Sequence, residues 1–253
     1  MTVKELYNIL EDSFPSSLRA EWDNDGLVYC FDGKRQVKRV LITLDVTLKS
    51  IEYAVENGFD TIISHHPLIF KPISALDFSG VVGERLKKII KNDLNVMSFH
   101  TRLDCVLVND ALAEELALTD VQPFLLDGLP MGRIGESKAM PVSCFAEFVK
   151  EKLGAGDVES PFVFKGTVQK VAVLGGGGAD AVSVAMKLGA DALVTGECSY
   201  NKMIDAAEMG LAVITAGHFY TENPVCKRLK ELIQKIDTEI NCEIYNSNII
   251  DNI

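Results

Sequence analysis

Hydrophobic residues recur along the chain at two spacings, which predict buried strands and amphipathic helices in alternation. Short apolar runs predict strands, and those of the first half are Arg39–Leu44, Thr61–Ser64 and Leu94–Phe99. Apolar residues three and four positions apart predict the helices between them, over Thr47–Asn57 and Val81–Lys91. Strands and helices that alternate with short links are typical of an α/β fold.

Capping residues support the helices of this first half. Thr2 and Glu5 have the spacing of a capping box, which predicts a helix that begins here and ends near Pro15. Gly58 suits the position after a helix end, because glycine accepts a positive φ. Asn109 is predicted to cap a further helix.

An irregular segment separates this half from a second one. Residues Asp127–Gly135 include three glycines and a proline, and they predict a domain boundary. A helix is predicted over Pro141–Leu153, and Phe162–Phe164 is predicted to pair with Gln169–Leu174 as a hairpin. Further strands and helices follow in alternation, with strands at Ala192–Thr195, Leu211–Thr215 and Glu239–Tyr245, and helices that end at Leu188, at Gly210 and, starting from Glu222, near Lys235.

The second half repeats the first. A shift of 131 residues overlays residues 40–66 on residues 171–197 without a gap. The repeat predicts two related α/β domains that arose by internal duplication, residues 1–126 with 219–253 and residues 127–218. We expect equivalent strand ends to converge on one interdomain cleft, where residues that are distant in sequence meet.

All four histidines follow predicted strands, and each has a carboxylate or another imidazole nearby in sequence. These residues are His65 and His66, the pair His100 and Asp104, and the pair His218 and Glu222, whose spacing repeats that of the previous pair. Imidazoles and carboxylates collected at strand ends are typical of a metal site, here in the predicted interdomain cleft. Each group also has a structural interpretation, as an exposed turn, a hydrogen-bonded loop or a helix start that favours a carboxylate.

Three further segments leave a functional and a structural interpretation open. Gly175–Gly178 follows a strand and either cradles a phosphate or forms a tight turn. Glu197, with Tyr200 and Asn201 behind it, is either a wall of the cleft or a cap. Trp22–Asn24 either faces a substrate or forms a turn around a packed aromatic ring.

Composition and missing motifs exclude several classes of function. The formal net charge of −11 disfavours nucleic acid as the main partner. None of the six cysteines lies in a C-x-x-C pair, and the N-terminal residues form no apolar signal segment. We therefore expect a cytoplasmic protein without a membrane partner, whose cysteines are small buried hydrophobic residues. Without an H-E-x-x-H, G-x-S-x-G or kinase motif, protease, α/β-hydrolase and kinase functions have no support.

Taken together, these segments resemble the NGG-one-interacting-factor-three-like family, whose members are often labelled GTP cyclohydrolase I type 2 homologues. The matching segments span nearly the whole chain in order. They are Glu21–Asn24 with Gly26–Leu27, Ile62–Pro67, His100–Thr101 with Leu103–Asp104, Asn109–Asp110, Gly175–Gly178, Gly189–Asp191, Thr195–Glu197, and Gly217–His218 with Thr221–Glu222. The chain departs from many relatives just after the Thr-Gly-Glu segment, where they carry histidines and it has Tyr200 and Asn201.

The resemblance implies a two-domain α/β protomer with a dinuclear metal site in the interdomain cleft, and a ring-shaped homohexamer. It implies two divalent metal ions per subunit, and the donor types suit zinc, iron or manganese. The implied ligands are His65, His66, Asp104, His218 and Glu222.

These donors favour a metal-dependent hydrolase that acts on a nucleotide-like or phosphate-containing small molecule, because paired ions activate a water and clamp a substrate oxygen. Glu222 is the candidate bridging carboxylate, and His100 is the candidate catalytic acid–base group. The alternative is a non-enzymatic, metal-binding oligomeric scaffold or metal-handling protein. A nucleic-acid-associated ring is a third hypothesis, and the acidic charge argues against it.

The predicted ring has a direct test in solution. We expect the protein to have a mass well above that of one subunit, 27.7 kDa, because the resemblance implies a homo-oligomer. Multi-angle light scattering at micromolar concentration, with metal ions present, measures this mass. A monomer under these conditions contradicts the prediction.

Overall fold

The computed structural model describes residues 1–161 and 166–250. The strands in these ranges are β1 (Gly26–Tyr29), β2 (Arg39–Thr43), β3 (Thr61–Ser64), β4 (Asn95–Ser98), β5 (Thr119–Leu126), β6 (Leu129–Pro141), β7 (Thr167–Gly177), β8 (Ala192–Glu197), β9 (Ala212–Thr215) and β10 (Asn241–Tyr245). The α-helices are α1 (Val3–Ser13), α2 (Leu48–Glu56), α3 (Val81–Lys91), α4 (Thr101–Leu103), α5 (Asn109–Glu115), α6 (Val142–Leu153), α7 (Val182–Lys187), α8 (Tyr200–Glu208), α9 (His218–Glu222) and α10 (Pro224–Ile236). Each helix of the described ranges is too short or too polar to span a membrane.

The chain forms two compact units. The first unit comprises Met1–Leu103 with Cys226–Ile249, and the second comprises Asp104–Val225. The sequence placed the divisions after residues 126 and 218 instead. The structure places the first division earlier, after Leu103, because α5 packs on β6 and β7 and β5 pairs with β6. It places the second division later, after Val225.

The segment predicted to be a domain boundary is part of a hairpin. Asp127 and Gly128 have φ values of 50° and 82° and form the turn between β5 and β6. A tight turn between antiparallel strands requires such positive φ values, which glycine and aspartate tolerate. The glycines of this region therefore reflect turn geometry and close strand packing, and they do not mark a linker.

The first unit is built on a five-stranded sheet with the strand order β1-β4-β3-β2-β10. Strands β10, β2, β3 and β4 are parallel, and β1 is antiparallel to β4. Leu41, Ile62 and Val96 of the central strands are fully buried in one core with Ile51 of α2 and Ile89 of α3. The predicted strand and helix periods of this unit are thus confirmed by the faces that they bury.

The second unit has a five-stranded sheet with the order β5-β6-β7-β8-β9. Strands β7, β8 and β9 are parallel, whereas β6 is antiparallel to both of its neighbours. Val171, Val194 and Ile214 of the parallel strands are buried with Phe145 of α6. The predicted hairpin strand Phe162–Phe164 lies outside the described residues.

Strand register confirms the internal duplication. Val40 of β2 lies opposite Thr61 of β3, and Val171 of β7 lies opposite Ala192 of β8. Each residue of the second pair is 131 positions after its counterpart. The repeat seen in the sequence is therefore a repeat of one β-α-β arrangement, and the fold class is two related α/β units.

One carboxylate is repeated together with its hydrogen bonds. Asp60 Oδ2 accepts from the backbone N–H groups of residues 38 and 39, at 2.8 and 2.9 Å. Asp191 Oδ2 accepts from those of residues 169 and 170, at 3.0 and 2.8 Å. Each carboxylate ties the beginning of one parallel strand to the turn that leads into the next.

Asn109 is not the helix cap that the sequence predicts. It is the first residue of α5 and follows a π-helical turn, Asp104–Val108. Its Nδ2 donates to the carbonyl of Met131 at 2.7 Å, and its Oδ1 accepts from the N–H of Gly175 at 2.8 Å. The carboxamide therefore joins α5 to β6 and β7.

Removal of the repeated carboxylate is expected to destabilise the fold. In Asp60→Ala, two backbone N–H groups lose a charged acceptor, and the free energy of unfolding is expected to fall by about 1–3 kcal/mol. Asp191 is less buried, so Asp191→Ala is expected to have a smaller effect of the same sign. Urea denaturation followed by circular dichroism measures both variants.

Asp12→Ala is the matched control, because Asp12 is exposed on α1. Its effect is expected to stay within about 0.5 kcal/mol. If Asp60→Ala is no more destabilising than this control, the carboxylate does not hold the strands together.

Candidate metal-binding site

The carboxyl ends of β3 and β4 place histidines side by side in the first unit. The strands are parallel with Ser64 opposite Ser98, and the two serine hydroxyls lie 2.9 Å apart. His65 is the first residue after β3, and His100 is the second residue after β4. Strand pairing therefore brings together side chains that are far apart in sequence.

His65, His66 and His100 form an imidazole cluster. Their ring centroids are 4.9 Å apart for His65 and His66, 5.1 Å for His65 and His100, and 5.6 Å for His66 and His100. One ring nitrogen from each lies within 4.8 Å of the others, a spacing that suits a metal ion. His65 is fully buried, and His100 is largely so.

Each imidazole of this cluster is oriented through its Nδ1 atom. His65 Nδ1–H donates to the carbonyl of Phe99 at 3.1 Å. His66 Nδ1–H donates to Asp45 Oδ1 at 2.8 Å, and His100 Nδ1 lies 3.0 Å from Asp23 Oδ1. Because the acceptors carry no proton, each Nδ1 holds the hydrogen, and in the neutral imidazole Nε2 then keeps a lone pair, as in metal-ligating histidines.

Asp23 and Asp25 fix the beginning of α4. Asp23 Oδ2 accepts from the N–H and the hydroxyl of Thr101, at 3.0 and 2.7 Å. Asp25 Oδ2 accepts from the N–H of His100 at 2.8 Å and from Nε of the buried Arg102 at 3.0 Å. Burial alone would raise the pKa of Asp23, but His100 and Thr101 lower it from 3.8 to about 2. Asp23 is therefore ionised at neutral pH and orients His100.

The second unit contains a His–Glu cluster at the end of its parallel strands. His218 begins α9, and its Nδ1 lies 3.2 Å from Glu197 Oε1. Its Nε2 lies 3.2 Å from Oε2 of the buried Glu222. When Nδ1–H donates to Glu197, a lone pair on Nε2 faces a carboxylate oxygen. A proton between His218 Nε2 and Glu222 Oε2, or a cation beside them, stabilises that arrangement.

The lack of a side chain at Gly176 leaves room for His218 and Glu222. A Cβ on Gly176 would lie 2.2 Å from Glu222 Oε1 and 3.1 Å from His218 Nε2, and the φ of Gly176 is +67°. Any larger residue would displace the Glu222 carboxylate. Glycine at this position is therefore explained by the close approach of the backbone to two candidate ligands.

Asp104, the remaining implied ligand, is buried as the first residue of the π-helical turn. Such turns occur often at functional sites. The thiol of Cys105 beside it is also buried, and burial together with the charge of Asp104 raises its pKa to about 11. Cys105 is therefore a protonated, buried residue rather than a nucleophile. The predicted burial of the cysteines is confirmed for Cys105, Cys226 and Cys242, but it is wrong for Cys144, which is exposed.

The structure favours one interpretation for two of the segments that the sequence left open. The N–H groups of Gly175 and Gly176 donate to Asn109 Oδ1 and Thr221 Oγ1, so these groups serve a tight turn rather than a phosphate. Trp22 is 61% exposed and does not fill a core, which argues against a turn around a packed aromatic ring. Glu197 contacts His218, whereas Tyr200 is 80% exposed.

Sequence reasoning missed three residues that position the imidazole cluster. Asp45 is the second residue after β2, as His100 is after β4, so a search for polar residues behind every strand would have found it. Asp25 and Arg102 form a buried ion pair at 3.0 Å. Asp25 directly follows the segment Glu21–Asn24, and Arg102 lies between His100 and Asp104. Their contact depends on the tertiary fold and has no local signal in the sequence.

Comparison with known proteins gives this geometry a family. A family model described as Duf34/NIF3 (NGG1p interacting factor 3) matches residues 1–253. A "GTP cyclohydrolase 1 type 2 homolog" from Clostridium perfringens is 32% identical over 95% of this chain and 94% of its own length. A protein of the same name from Methanocaldococcus jannaschii is 35% identical over 95% of this chain and 98% of its own length.

The fold is similar as well. The crystal structure of a Staphylococcus aureus hypothetical protein has a TM-score of 0.90 to this chain at 27% sequence identity. The match covers 100% of this chain and 99% of the other. Because the family model matches the full length and relatives above 30% identity cover nearly all of it, the chain belongs to the Duf34/NIF3 (NGG1p interacting factor 3) family.

Proposed function

We propose that this protein binds divalent metal ions and acts as a metal-dependent hydrolase on a nucleotide-like or phosphate-containing small molecule. One observation carries the proposal. Every histidine of the chain has its Nδ1 beside an oxygen of a carbonyl or carboxylate, which in the neutral imidazole leaves the lone pair on Nε2. Relatives that carry the name GTP cyclohydrolase 1 type 2 homolog support a nucleotide as the substrate.

The proposed ligands come from both units. His65 and His66 supply imidazole nitrogen in the first unit, and His218 supplies it in the second. Asp104 and Glu222 supply carboxylate oxygen, and both are buried. This donor set fits zinc, iron or manganese. That the ligands serve one dinuclear centre, in a subunit of a homohexamer, remains a prediction from the sequence.

Divalent ions at such a centre would lower the pKa of water and polarise a phosphoryl or carbonyl oxygen. The chain's own groups have the supporting roles. Asp45 and the carbonyl of Phe99 hold the rings of His66 and His65 in place. Asp23 holds His100 with Nδ1–H toward the carboxylate, so that Nε2 is the atom that accepts and returns a proton.

A non-enzymatic role is the second candidate function. His65 is fully buried, and a ligand without solvent access suits the retention of an ion in a scaffold or metal-handling protein. Turnover separates the candidates, because a scaffold binds ions tightly and hydrolyses no nucleotide. GTP incubated with the zinc-, iron- and manganese-loaded protein, with products followed by chromatography, decides between them.

Metal content should depend on the proposed ligands and on the space that Gly176 leaves. His65→Ala and Glu222→Ala are each expected to lower the bound metal per folded chain. Gly176→Ala is expected to do the same without removing any ligand, because its Cβ would meet Glu222. Mass spectrometry of dialysed protein measures the metal, and circular dichroism verifies that the fold persists.

Gly177→Ala is the control, since a Cβ there meets nothing within 4 Å. Its metal content should equal that of the unaltered protein. If Gly176→Ala and Glu222→Ala both retain the full metal content, Glu222 is not a ligand.

His100 should matter more for rate than for metal binding. His100→Gln keeps a hydrogen-bonding side chain but loses the imidazole Nε2 that we assign to proton transfer. The hydrolysis rate is expected to fall by about 10²–10⁴-fold, while the metal content changes little. An equal loss of metal and activity would identify His100 as a further ligand, which its place in the imidazole cluster also allows.

A further inference from the structure

We propose that Trp22 and Phe70 form a stacking surface for the planar heteroaromatic ring of the ligand, beside His100. The inference rests on the proposed function and deepens it, because it names the chemical class of the substrate: a small molecule with a nucleobase-like ring and an anionic substituent. All residues that carry it belong to the first unit.

The two aromatic rings both lie beside His100, at one edge of the imidazole cluster. The ring centroids of Trp22 and His100 are 5.8 Å apart with planes at 73°, and those of Phe70 and His100 are 5.9 Å apart with planes at 67°. Trp22 and Phe70 are themselves 5.9 Å apart with their planes tilted by 45°. A ligand ring between them would need about 7 Å, twice the contact distance of two carbon atoms. The ligand ring therefore stacks on the outer surface of the pair.

This surface is exposed and yet held in position. Trp22 is 61% exposed and Phe70 is 48% exposed, so neither contributes to a core in the way that a structural aromatic residue does. Asn24 Nδ2 donates to the carbonyl of Ile69 at 2.6 Å, which joins the two segments that carry the rings. Between Trp22 and Asn24, Asp23 is fixed by its bonds to His100 and Thr101. Exposed apolar area that the surrounding chain holds in place is typical of a binding surface.

The neighbouring groups select the kind of ligand. Aromatic faces bind either planar rings or cations. Here the adjacent imidazole cluster is the proposed position of divalent ions, which repel a cationic ligand and attract an anionic one. A neutral planar ring that carries phosphate suits both the aromatic pair and the proposed ions. The ring would stack on Trp22 and Phe70, and the phosphate would lie toward the histidines.

Trp22 is the only tryptophan of the chain, so its fluorescence reports on this surface alone. The full-length, zinc-loaded protein is titrated with guanosine, with GTP and with inorganic tripolyphosphate. Guanosine and GTP are expected to change the emission of Trp22 by stacking on it. GTP is expected to bind about tenfold or more tightly than tripolyphosphate, which has the charge but no ring.

Two variants separate stacking from charge. Phe70→Leu keeps the fluorescent reporter. It is expected to weaken the binding of GTP about tenfold, while the affinity for tripolyphosphate stays the same. Trp22→Leu is measured by calorimetry and is expected to lower the affinity for GTP to nearly that for tripolyphosphate. Phe31→Leu is the control, because Phe31 is 49% exposed but its N–H bonds to Asn95, at the opposite end of β4 from His100.

The possible results distinguish this inference from the proposed function. The stacking surface is refuted if neither guanosine nor GTP changes the emission of Trp22, or if Phe70→Leu weakens GTP and tripolyphosphate equally. If zinc and tripolyphosphate fail to bind, the proposed metal function fails instead. The guanosine titration then still tests the surface, because guanosine carries no phosphate and needs no ion.

Discussion

Parallel, in-register pairing of β3 and β4 is the constraint on which the first unit's chemistry depends. It sets Ser64 opposite Ser98, so both strands end at the same edge of the sheet. The carbonyl of Phe99, one residue beyond β4, can then accept from the ring of His65. A slip of one residue in this pairing would turn the side chains to the other side of the sheet and separate the two groups. Backbone geometry thus orients an imidazole before any side-chain partner is involved.

The duplicated unit obeys the same constraint with one change after the last parallel strand. In the first unit His100 is the second residue after β4, whereas His218 is the third residue after β9. The additional position is occupied by Gly217, whose φ is +85°. This glycine lets the chain turn directly into α9, so that Glu222 lies one helical turn beyond His218 and contacts it.

Local patterns in the sequence were sufficient for the parallel strands and the helices between them, since burial on both sides of a sheet produces continuous apolar runs. Strand β3 and helix α3 have the predicted bounds. Strand β5 was missed because most of its residues are exposed and its place in the sheet comes from pairing with β6. The histidines could be identified because they follow strands, but the carboxylates that orient them, such as Asp45, become recognisable only when the fold supplies the contact.

The two copies of the duplicated unit now present different donor atoms. The imidazole cluster of the first offers three nitrogens, whereas the cluster of the second combines His218 with the oxygens of Glu197 and Glu222. Nitrogen-rich and oxygen-rich donor sets rank the transition metals differently. Divergence after duplication has therefore left the two copies with unequal sets of candidate donors, one of imidazole nitrogen and one mainly of carboxylate oxygen.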